Sequence, residues 1–255
     1  MSEQTAATDR AASEGAQLVA ESLVAGYIPE VNILNECSVH VHRGELVGII
    51  GPNGAGKSTL IKSMFGLVPV RSGSVRFGER DITGHPAHKL VSAGLAYVPQ
   101  NNNVFPSLTI EENLQMGIFV RPRDFKERNA FVCDLFPLLA ERRSQRCGSL
   151  SGGERQVVAM GRALMTDPEV MFLDEPSAGL SPIMQDAVFE SVQTINKTGV
   201  SILMVEQNAK RCLEISDRAY VLDQGRDAYT GPGPALLNDP KVIELYLGTL
   251  ARIDR

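Results

Sequence analysis

The chain has 255 residues, of which 43% are hydrophobic and 22% charged, with a formal net charge of −5 at pH 7. This apolar content excludes a disordered protein, and 23 glycines and 14 prolines are too few for a fibrous one. The acidic balance argues against direct binding to nucleic acid. The length fits one large α/β domain or two small ones.

Membrane spans and cysteine frameworks are also not indicated. No apolar run approaches the ~20 residues that a membrane-spanning helix needs, and the polar N-terminus has no hydrophobic signal segment. The four cysteines lie far apart without a Cys-x-x-Cys pair, so neither a zinc site nor a disulfide framework is predicted. We therefore expect a cytoplasmic protein that reaches a membrane only through a partner.

The first third of the chain predicts a β-rich start and then a loop. Residues 1–16 lack apolar periodicity and predict a flexible tail, after which structure begins near Gln17. Two strand-length apolar segments flank the turn at Arg43 and Gly44. The second segment, 45–50, is nearly all apolar, which is typical of a buried central strand in a parallel sheet. A glycine-rich loop and a helix over 57–65 follow.

The middle of the chain, 107–165, predicts mostly helix. Thr109 and Ser151 are each followed three residues later by glutamate, a capping-box pattern, and Asp124 is a third predicted N-cap. Phe136 is expected among the apolar positions of the helix that follows Asp124.

Strand patterns lie on both sides of this helical segment, at 95–98, 170–173, 200–205 and 219–223. Ser181 and Pro182 predict the start of another helix and Gly199 its end. The order predicts an α/β domain over 17–255 with a helical insertion at about 101–165.

The glycine-rich loop, GPNGAGKS at 51–58, matches G-x-x-x-x-G-K-[ST] between a buried strand and a helix. Such a loop turns successive backbone N–H groups toward phosphate oxygens, and a Cβ at Gly54 or Gly56 would obstruct it. Lys57 would reach the β- and γ-phosphates, and the Ser58 hydroxyl would ligate Mg²⁺. The alternative is a glycine-rich turn with a surface lysine. The match favours purine nucleoside triphosphate binding, with ATPase, kinase and GTPase all open.

Two carboxylates end the hydrophobic segment at 170–173. Ligands of a parallel sheet bind beyond the carboxyl ends of its strands, so Asp174 would lie beside the loop and hold Mg²⁺. Glu175 would face the γ-phosphate and polarise an attacking water as general base. The alternative is an ordinary solvated acidic turn at a strand end.

The segment LSGGERQ at 150–156 contains more glycine than a helix start needs. A capping box explains Ser151 and Glu154, but consecutive glycines are unfavourable in a first helical turn. They suit close approach of the backbone to a ligand at a helix N-terminus. Because one nucleotide rarely needs two such helix ends from one chain, this end would serve a nucleotide held by another copy.

The combination of GPNGAGKST, LSGGERQ and VMFLDEP resembles the ATP-binding cassette (ABC) ATPase family, over about residues 17–248. The resemblance implies a RecA-like P-loop NTPase core with an N-terminal β-subdomain and an inserted α-helical subdomain. It also implies a head-to-tail dimer with two ATP molecules at the interface. The implied nucleotide contacts are Tyr27 on the adenine, Gly51, Pro52, Asn53, Gly54, Ala55, Gly56, Lys57, Ser58 and Thr59 in the loop, Gln100, and the partner's Ser151, Gly152 and Gly153. Ser58, Gln100 and Asp174 are the implied Mg²⁺ ligands, and Glu175 and Gln207 the catalytic residues.

Two positions depart from the family pattern. Gln207 stands where the family usually has a histidine that contacts the γ-phosphate, and the four histidines of this chain lie elsewhere. Glutamine donates a hydrogen bond but carries no proton charge. Ser181 stands where many members have aspartate, which is expected to weaken contacts across the dimer.

Finer details resemble the ATPase subunits of branched-chain and neutral amino-acid uptake systems, and urea or short-amide uptake ATPases look nearly the same. The resemblance implies integral-membrane permease partners, a second ATPase subunit, and a location on the cytoplasmic face of the inner membrane. Phe105, in the groove around 101–105, is the predicted contact for a permease helix. The alternatives are a soluble ABC ATPase without a transport role and a simple kinase.

Overall fold

The computed structural model describes residues 15–119 and 121–244 of the chain. The predicted tail at 1–16 lies outside the described residues apart from its last two positions. The strands are β1 (Leu18–Ala25), β2 (Leu34–Val41), β3 (Leu46–Ile50), β4 (Val70–Phe77), β5 (Arg80–Asp81), β6 (Leu95–Val98), β7 (Val170–Asp174), β8 (Ser201–Val205), β9 (Arg218–Asp223) and β10 (Arg226–Pro232).

The α-helices alternate with these strands or lie between β6 and β7. They are α1 (Lys57–Met64), α2 (Ala87–Ser92), α3 (Ile110–Gly117), α4 (Phe125–Leu135), α5 (Pro137–Glu141), α6 (Gly152–Leu164), α7 (Pro182–Asn196), α8 (Ala209–Ile215) and α9 (Gly233–Leu236). Within the described ranges, every helix is too short or too polar to cross a lipid bilayer.

The central sheet has the order β10-β9-β3-β8-β7-β6. Its strands β9, β3, β8, β7 and β6 pair in parallel, and β10 adds an antiparallel edge. Strands β3, β7 and β8 are buried at every position because both faces of the sheet are covered. A second, antiparallel sheet has the order β2-β1-β4-β5. The predicted α/β class with a RecA-like core is confirmed.

Strand β7 separates two hydrophobic cores. Val170 and Phe172 pack with α1 and the antiparallel sheet, whereas Met171 and Leu173 pack with the helices between β6 and β7. This alternation follows from the two-residue period of a strand. Because β3, β7 and β8 are parallel, their carboxyl ends meet at one edge of the sheet, where the functional loops begin.

The helix starts confirm the two predicted capping boxes. The Thr109 hydroxyl accepts the Glu112 N–H, and the Glu112 carboxylate accepts the Thr109 N–H in return. Ser151 and Glu154 form the same reciprocal pair at the start of α6. Each pair satisfies two backbone donors that a helix start would leave open.

The predicted helix starts after Asp124 and Ser181 are confirmed, but neither side chain caps its helix, and the placement of Phe136 within a helix was wrong. The Asp124 side chain makes no capping bond, since a short 3-10 turn, Pro122–Asp124, leads into α4. Phe136 lies outside that helix, because the proline that follows it disfavours helical backbone at Phe136. The Ser181 side chain makes no capping bond either. The division into a domain at 17–255 with an inserted part at 101–165 stays a prediction.

Candidate nucleotide-binding site

The phosphate loop joins β3 to α1 at the edge where the parallel strands end. Gly54 and Gly56 have φ angles of +83° and +100°, a backbone region that L-residues rarely adopt. A Cβ on Gly54 would meet no atom within 4 Å, so glycine is favoured at this position by its positive φ alone. A Cβ on Gly56 would in addition lie 3.0 Å from Leu34 Cδ2. The start of α1 has no side-chain cap, which leaves its first N–H groups open to an anion.

A turn that the sequence analysis did not single out supports this loop. The Gly225 N–H, between β9 and β10, donates to the Ala55 carbonyl at 3.0 Å, and the Ala55 N–H donates to the Pro52 carbonyl at 3.1 Å. Gly225 has φ +79°, and a Cβ there would lie 2.0 Å from the Ile33 carbonyl oxygen. Position 225 therefore requires glycine. The only signal in the sequence is the Gln224-Gly225 turn after a predicted strand.

The side chain of Lys57 is folded into the loop and is only 5% exposed. Its ammonium donates to the carbonyl oxygens of Gly51 at 2.9 Å and Pro52 at 3.2 Å. Burial lowers the pKa of Lys57, and the carboxylates of Asp174, Glu175 and Glu206 act in the opposite direction. Those three negative groups make the loop edge a site where a cation is favoured.

Asp174 ends β7 with its side chain 2% exposed. One carboxylate oxygen, Oδ2, accepts the Tyr97 hydroxyl at 2.8 Å and pairs with the Lys62 ammonium at 3.2 Å. The other, Oδ1, is buried and has no hydrogen-bond partner within the described residues. Burial and the neighbouring Asp174 charge raise the pKa of Tyr97, so its hydroxyl remains a donor.

An unpartnered buried carboxylate oxygen is the kind of ligand that a magnesium ion uses. In the described part of the chain, no group of three or more His, Cys, Asp or Glu side chains could form a protein-only metal cage. Mg²⁺ is commonly held by one or two carboxylates with water and substrate phosphates. The buried, unpartnered Oδ1 of Asp174 fits such an ion.

Glu175 follows directly and has a φ of +47°, which is uncommon for a residue other than glycine. Its N–H donates to the Val205 carbonyl at 2.9 Å, so β8 holds the turn. The Gln100 amide donates to Glu175 Oε2 at 2.8 Å. The structure thus joins two residues that the sequence analysis had assigned separately, one to the metal and one to the attacking water.

Gln207 lies after β8 and is exposed. Its side-chain amide donates to Asn53 Oδ1 in the phosphate loop at 3.1 Å. The glutamine therefore contacts the phosphate loop, and its predicted role at the γ-phosphate stays a prediction. Ser58 and Thr59 lie in the first turn of α1, and Thr59 is buried. Tyr27, the predicted adenine contact, is 54% exposed after β1.

The predicted partner-site residues lie at the start of α6, with Ser151 as its N-cap and Gly152 and Gly153 as its first two residues. Gly152 borders a cleft of about 440 Å³ together with Gln100 and the segment 178–181. Among the described residues that line this cleft, none belongs to the phosphate loop. A Cβ on Gly152 would come within 2.5 Å of Leu180 Cδ2, whereas one on Gly153 would make ordinary contact with Met184. Packing within the chain is thus a further reason for glycine at 152.

The fold and the loop define the class of protein. A parallel sheet with a G-x-x-x-x-G-K-[ST] loop at its carboxyl edge, followed by an acidic strand end, is a P-loop nucleoside triphosphatase.

Comparison with known proteins narrows the class. The family model described as "ABC transporter" matches residues 34–178. The chain is 44% identical over 226 residues to the high-affinity branched-chain amino acid transport ATP-binding protein BraG of Pseudomonas aeruginosa, covering 88% of this chain and 97% of that one. It is 42% identical to the probable branched-chain amino acid transport ATP-binding protein LivF of Archaeoglobus fulgidus, over 89% and 96% of the two chains.

Solved structures agree. A nucleotide-free ATP-binding cassette from an ABC transporter superposes with a TM-score of 0.80 at 30% identity, covering 91% of this chain and 98% of that one. In sequence, a further relative is the lipopolysaccharide export system ATP-binding protein LptB of Escherichia coli, to which the chain is 32% identical over 91% of its own length and 98% of that chain. The chain belongs to the ATP-binding subunits of ABC transporters, and it is an ATPase that energises transport.

Proposed function

We propose that this ATPase drives the uptake of branched-chain or other neutral amino acids. The two relatives with 42–44% identity carry branched-chain amino acid transport in their names, and each match spans nearly the whole relative. Urea or short-amide uptake is the second candidate, and a soluble ABC ATPase without a transport role is the third. The observation that carries the ATPase mechanism is the cluster of Lys57, Asp174, Glu175 and Gln100 at one edge of the sheet.

ATP binds to the loop 51–59 in this proposal. The N–H groups of the loop and of the start of α1 contact the phosphates, and the Lys57 ammonium exchanges its carbonyl partners for phosphate oxygens. Tyr27 stacks on the adenine. Ser58, Gln100 and the free Oδ1 of Asp174 would hold Mg²⁺, which would supply charge neutralisation at the phosphates.

Glu175 accepts a proton from the attacking water. The Gln100 amide bond to Glu175 Oε2 keeps that carboxylate at the loop before nucleotide arrives. Gln207, already bonded to Asn53, donates a neutral hydrogen bond near the γ-phosphate.

A second ATPase subunit, identical or related, completes the site with its Ser151, Gly152 and Gly153. The support is geometric, because Gly152 borders a cleft that the phosphate loop does not line in the same chain. The two glycine N–H groups lie at the start of α6, where a helix has donors without intrahelical acceptors. Closure around ATP would exclude water and move the attached permease subunits.

The permease subunits would position this chain on the cytoplasmic face of the inner membrane. Phe105 is the proposed contact, since 43% of it is exposed. The Arg162 guanidinium lies 5.0 Å from the centre of its ring and also donates to the Asn103 carbonyl at 2.8 Å. That contact connects the loop after Gln100 to helix α6.

The test of the ATPase mechanism is Glu175→Gln. The amide cannot accept the water proton, so we expect ATP hydrolysis to fall by about a thousandfold while ATP still binds. Size-exclusion chromatography with ATP and Mg²⁺ should then show a trapped dimer. The exposed Glu190→Gln variant is the matched control and should hydrolyse ATP normally. A Glu175→Gln protein that stays monomeric, alone and with its paired ATPase, contradicts the mechanism.

The test of the cargo is co-purification from detergent-solubilised membranes, followed by uptake assays. Recovery with integral-membrane proteins and ATP-dependent uptake of leucine support the proposal. Uptake of urea or a short amide supports the second candidate, and recovery with ribosomes or DNA supports the third.

A further inference from the structure

Glu206 is a buried carboxylate whose only effect described above is to raise the pKa of Lys57. It follows β8 and its exposure is 0%. One oxygen, Oε1, accepts the Ser177 N–H at 2.9 Å. The other, Oε2, accepts the Ser177 hydroxyl at 2.9 Å and the N–H groups of Gln207 and Asn208 at 3.1 and 3.4 Å. A buried carboxylate with this many neutral donors is costly to replace, because each donor would lose its acceptor.

The donors come from two segments of the proposed site. Ser177 lies two residues after Glu175, in the turn that leaves β7. The same turn is held at Glu175 by the bond from its N–H to the Val205 carbonyl. Glu175 keeps its unusual φ of +47° only while the surrounding bonds determine it, because a residue other than glycine is strained in this conformation.

The second segment carries Gln207, whose side chain reaches Asn53 of the phosphate loop. Glu206 therefore connects the turn of the proposed base with the residue that contacts the loop. Within residues 15–119 and 121–244, Glu206 forms no ion pair with lysine or arginine closer than 4 Å. Burial raises the pKa of Glu206, while its four hydrogen-bond donors favour the ionised form.

We propose that Glu206 is a positioning residue for ATP hydrolysis, whose carboxylate holds the turn 175–178 and Gln207 in one fixed arrangement. The inference rests on the roles proposed above for Glu175 and Gln207. Glu206 has no contact with nucleotide in this proposal. It acts by keeping the Glu175 carboxylate aimed at the attacking water, so its loss slows the chemical step more than it weakens ATP binding.

The experiment measures kcat, KM, the Kd of a fluorescent ATP analogue and the thermal unfolding midpoint for the full chain. The variants are Glu206→Gln, Ser177→Ala, their combination, and Glu190→Gln as the exposed control. In Glu206→Gln an NH₂ group replaces one carboxylate oxygen. Because NH₂ is a donor and cannot accept, at least one of the four donors loses its hydrogen-bond acceptor. We expect kcat to fall by about tenfold to a hundredfold and Kd to change by less than about threefold.

Ser177→Ala removes only the hydroxyl bond, so we expect a loss of kcat of about threefold to tenfold. The double variant should resemble Glu206→Gln alone, because both changes affect one contact. If Glu206→Gln does not fold, Ser177→Ala decides by the same comparison of kcat with Kd.

Two outcomes overturn the inference. One is an unchanged kcat in folded Glu206→Gln, and the other is an equal loss of kcat and ATP affinity in both variants. Glu175→Gln, assayed in parallel, separates the two proposals. If Glu175→Gln is inactive and Glu206→Gln is fully active, only the role of Glu206 fails. If Glu175→Gln hydrolyses ATP normally, the mechanism and the inference fail together.

Discussion

The two helix starts that suit an anion, at Lys57 in α1 and at Gly152 in α6, are built differently. The start of α1 has no side-chain cap. Beside it, hydrogen bonds join Lys57 to Gly51, Gln100 to Glu175 and Gln207 to Asn53, in pairs that link the loops after β3, β6, β7 and β8. The start of α6 is capped by its own Ser151 and Glu154 and borders a cleft away from the phosphate loop. In the proposed mechanism, one half of the catalytic site is thus preassembled within a chain, and the other half would be offered to a neighbour.

The largest expected effect is at the preassembled half. Lys57→Ala removes the ammonium that would contact the phosphates, and we expect kcat/KM for ATP to fall by about a thousandfold. The exposed Lys210→Ala variant makes the same chemical change away from the site and should keep normal activity. ATPase assays and ATP binding check this, and tight ATP binding by Lys57→Ala would disprove the assignment.

Gly152→Ala tests the other half. The new Cβ would both meet Leu180 and crowd the partner's nucleotide, and we expect hydrolysis to fall by about tenfold to a hundredfold with ATP binding to the single chain unchanged. Adding Leu180→Ala relieves only the contact within the chain. If the double variant regains full ATP-dependent dimerisation and hydrolysis, glycine at 152 serves internal packing and the contrast between the two halves is lost.

Arg162 links the halves, because it lies in α6 and contacts the loop after Gln100. Arg162→Met removes the bond to the Asn103 carbonyl and the charge over the Phe105 ring. We expect transport per ATP hydrolysed to fall by about fivefold in the reconstituted transporter. ATP binding should stay unchanged, and the exposed Arg123→Met variant should behave as wild type. An unaltered transport ratio would show that the two halves do not communicate through this contact.

The smallest effect is expected for Gln207→His, which restores the usual family residue. An imidazole titrates near pH ~6.5, whereas the glutamine amide does not titrate. We expect kcat of the variant to fall by about twofold to threefold as pH rises from 6 to 8, since the imidazolium loses its charge. The change in kcat of the wild-type chain between pH 6 and pH 8 should be smaller. Equal pH profiles would show that position 207 does not act on the phosphate.

Much of the preassembled half could be predicted because its signals are local. The spacing of glycines and Lys57 in the loop and the apolar run before Asp174 each occupy a few consecutive residues, and so does the capping box at Ser151 in the other half. The missing side-chain caps at Asp124 and Ser181 and the wrong placement of Phe136 also have local causes, a 3-10 turn and neighbouring prolines, whose effect depends on the backbone angles.

Amino-acid order alone was enough to establish the α/β class, the phosphate loop and the resemblance to ABC ATPases, because strand periodicity and loop motifs are encoded over short stretches. Tertiary structure alone decided that Gln100 bonds Glu175, that Gly225 supports the loop, that Asp174 keeps a buried oxygen free, and that Glu206 joins two loops. Those contacts join residues distant in the chain. They exist because parallel strands bring their carboxyl ends to one edge of the sheet.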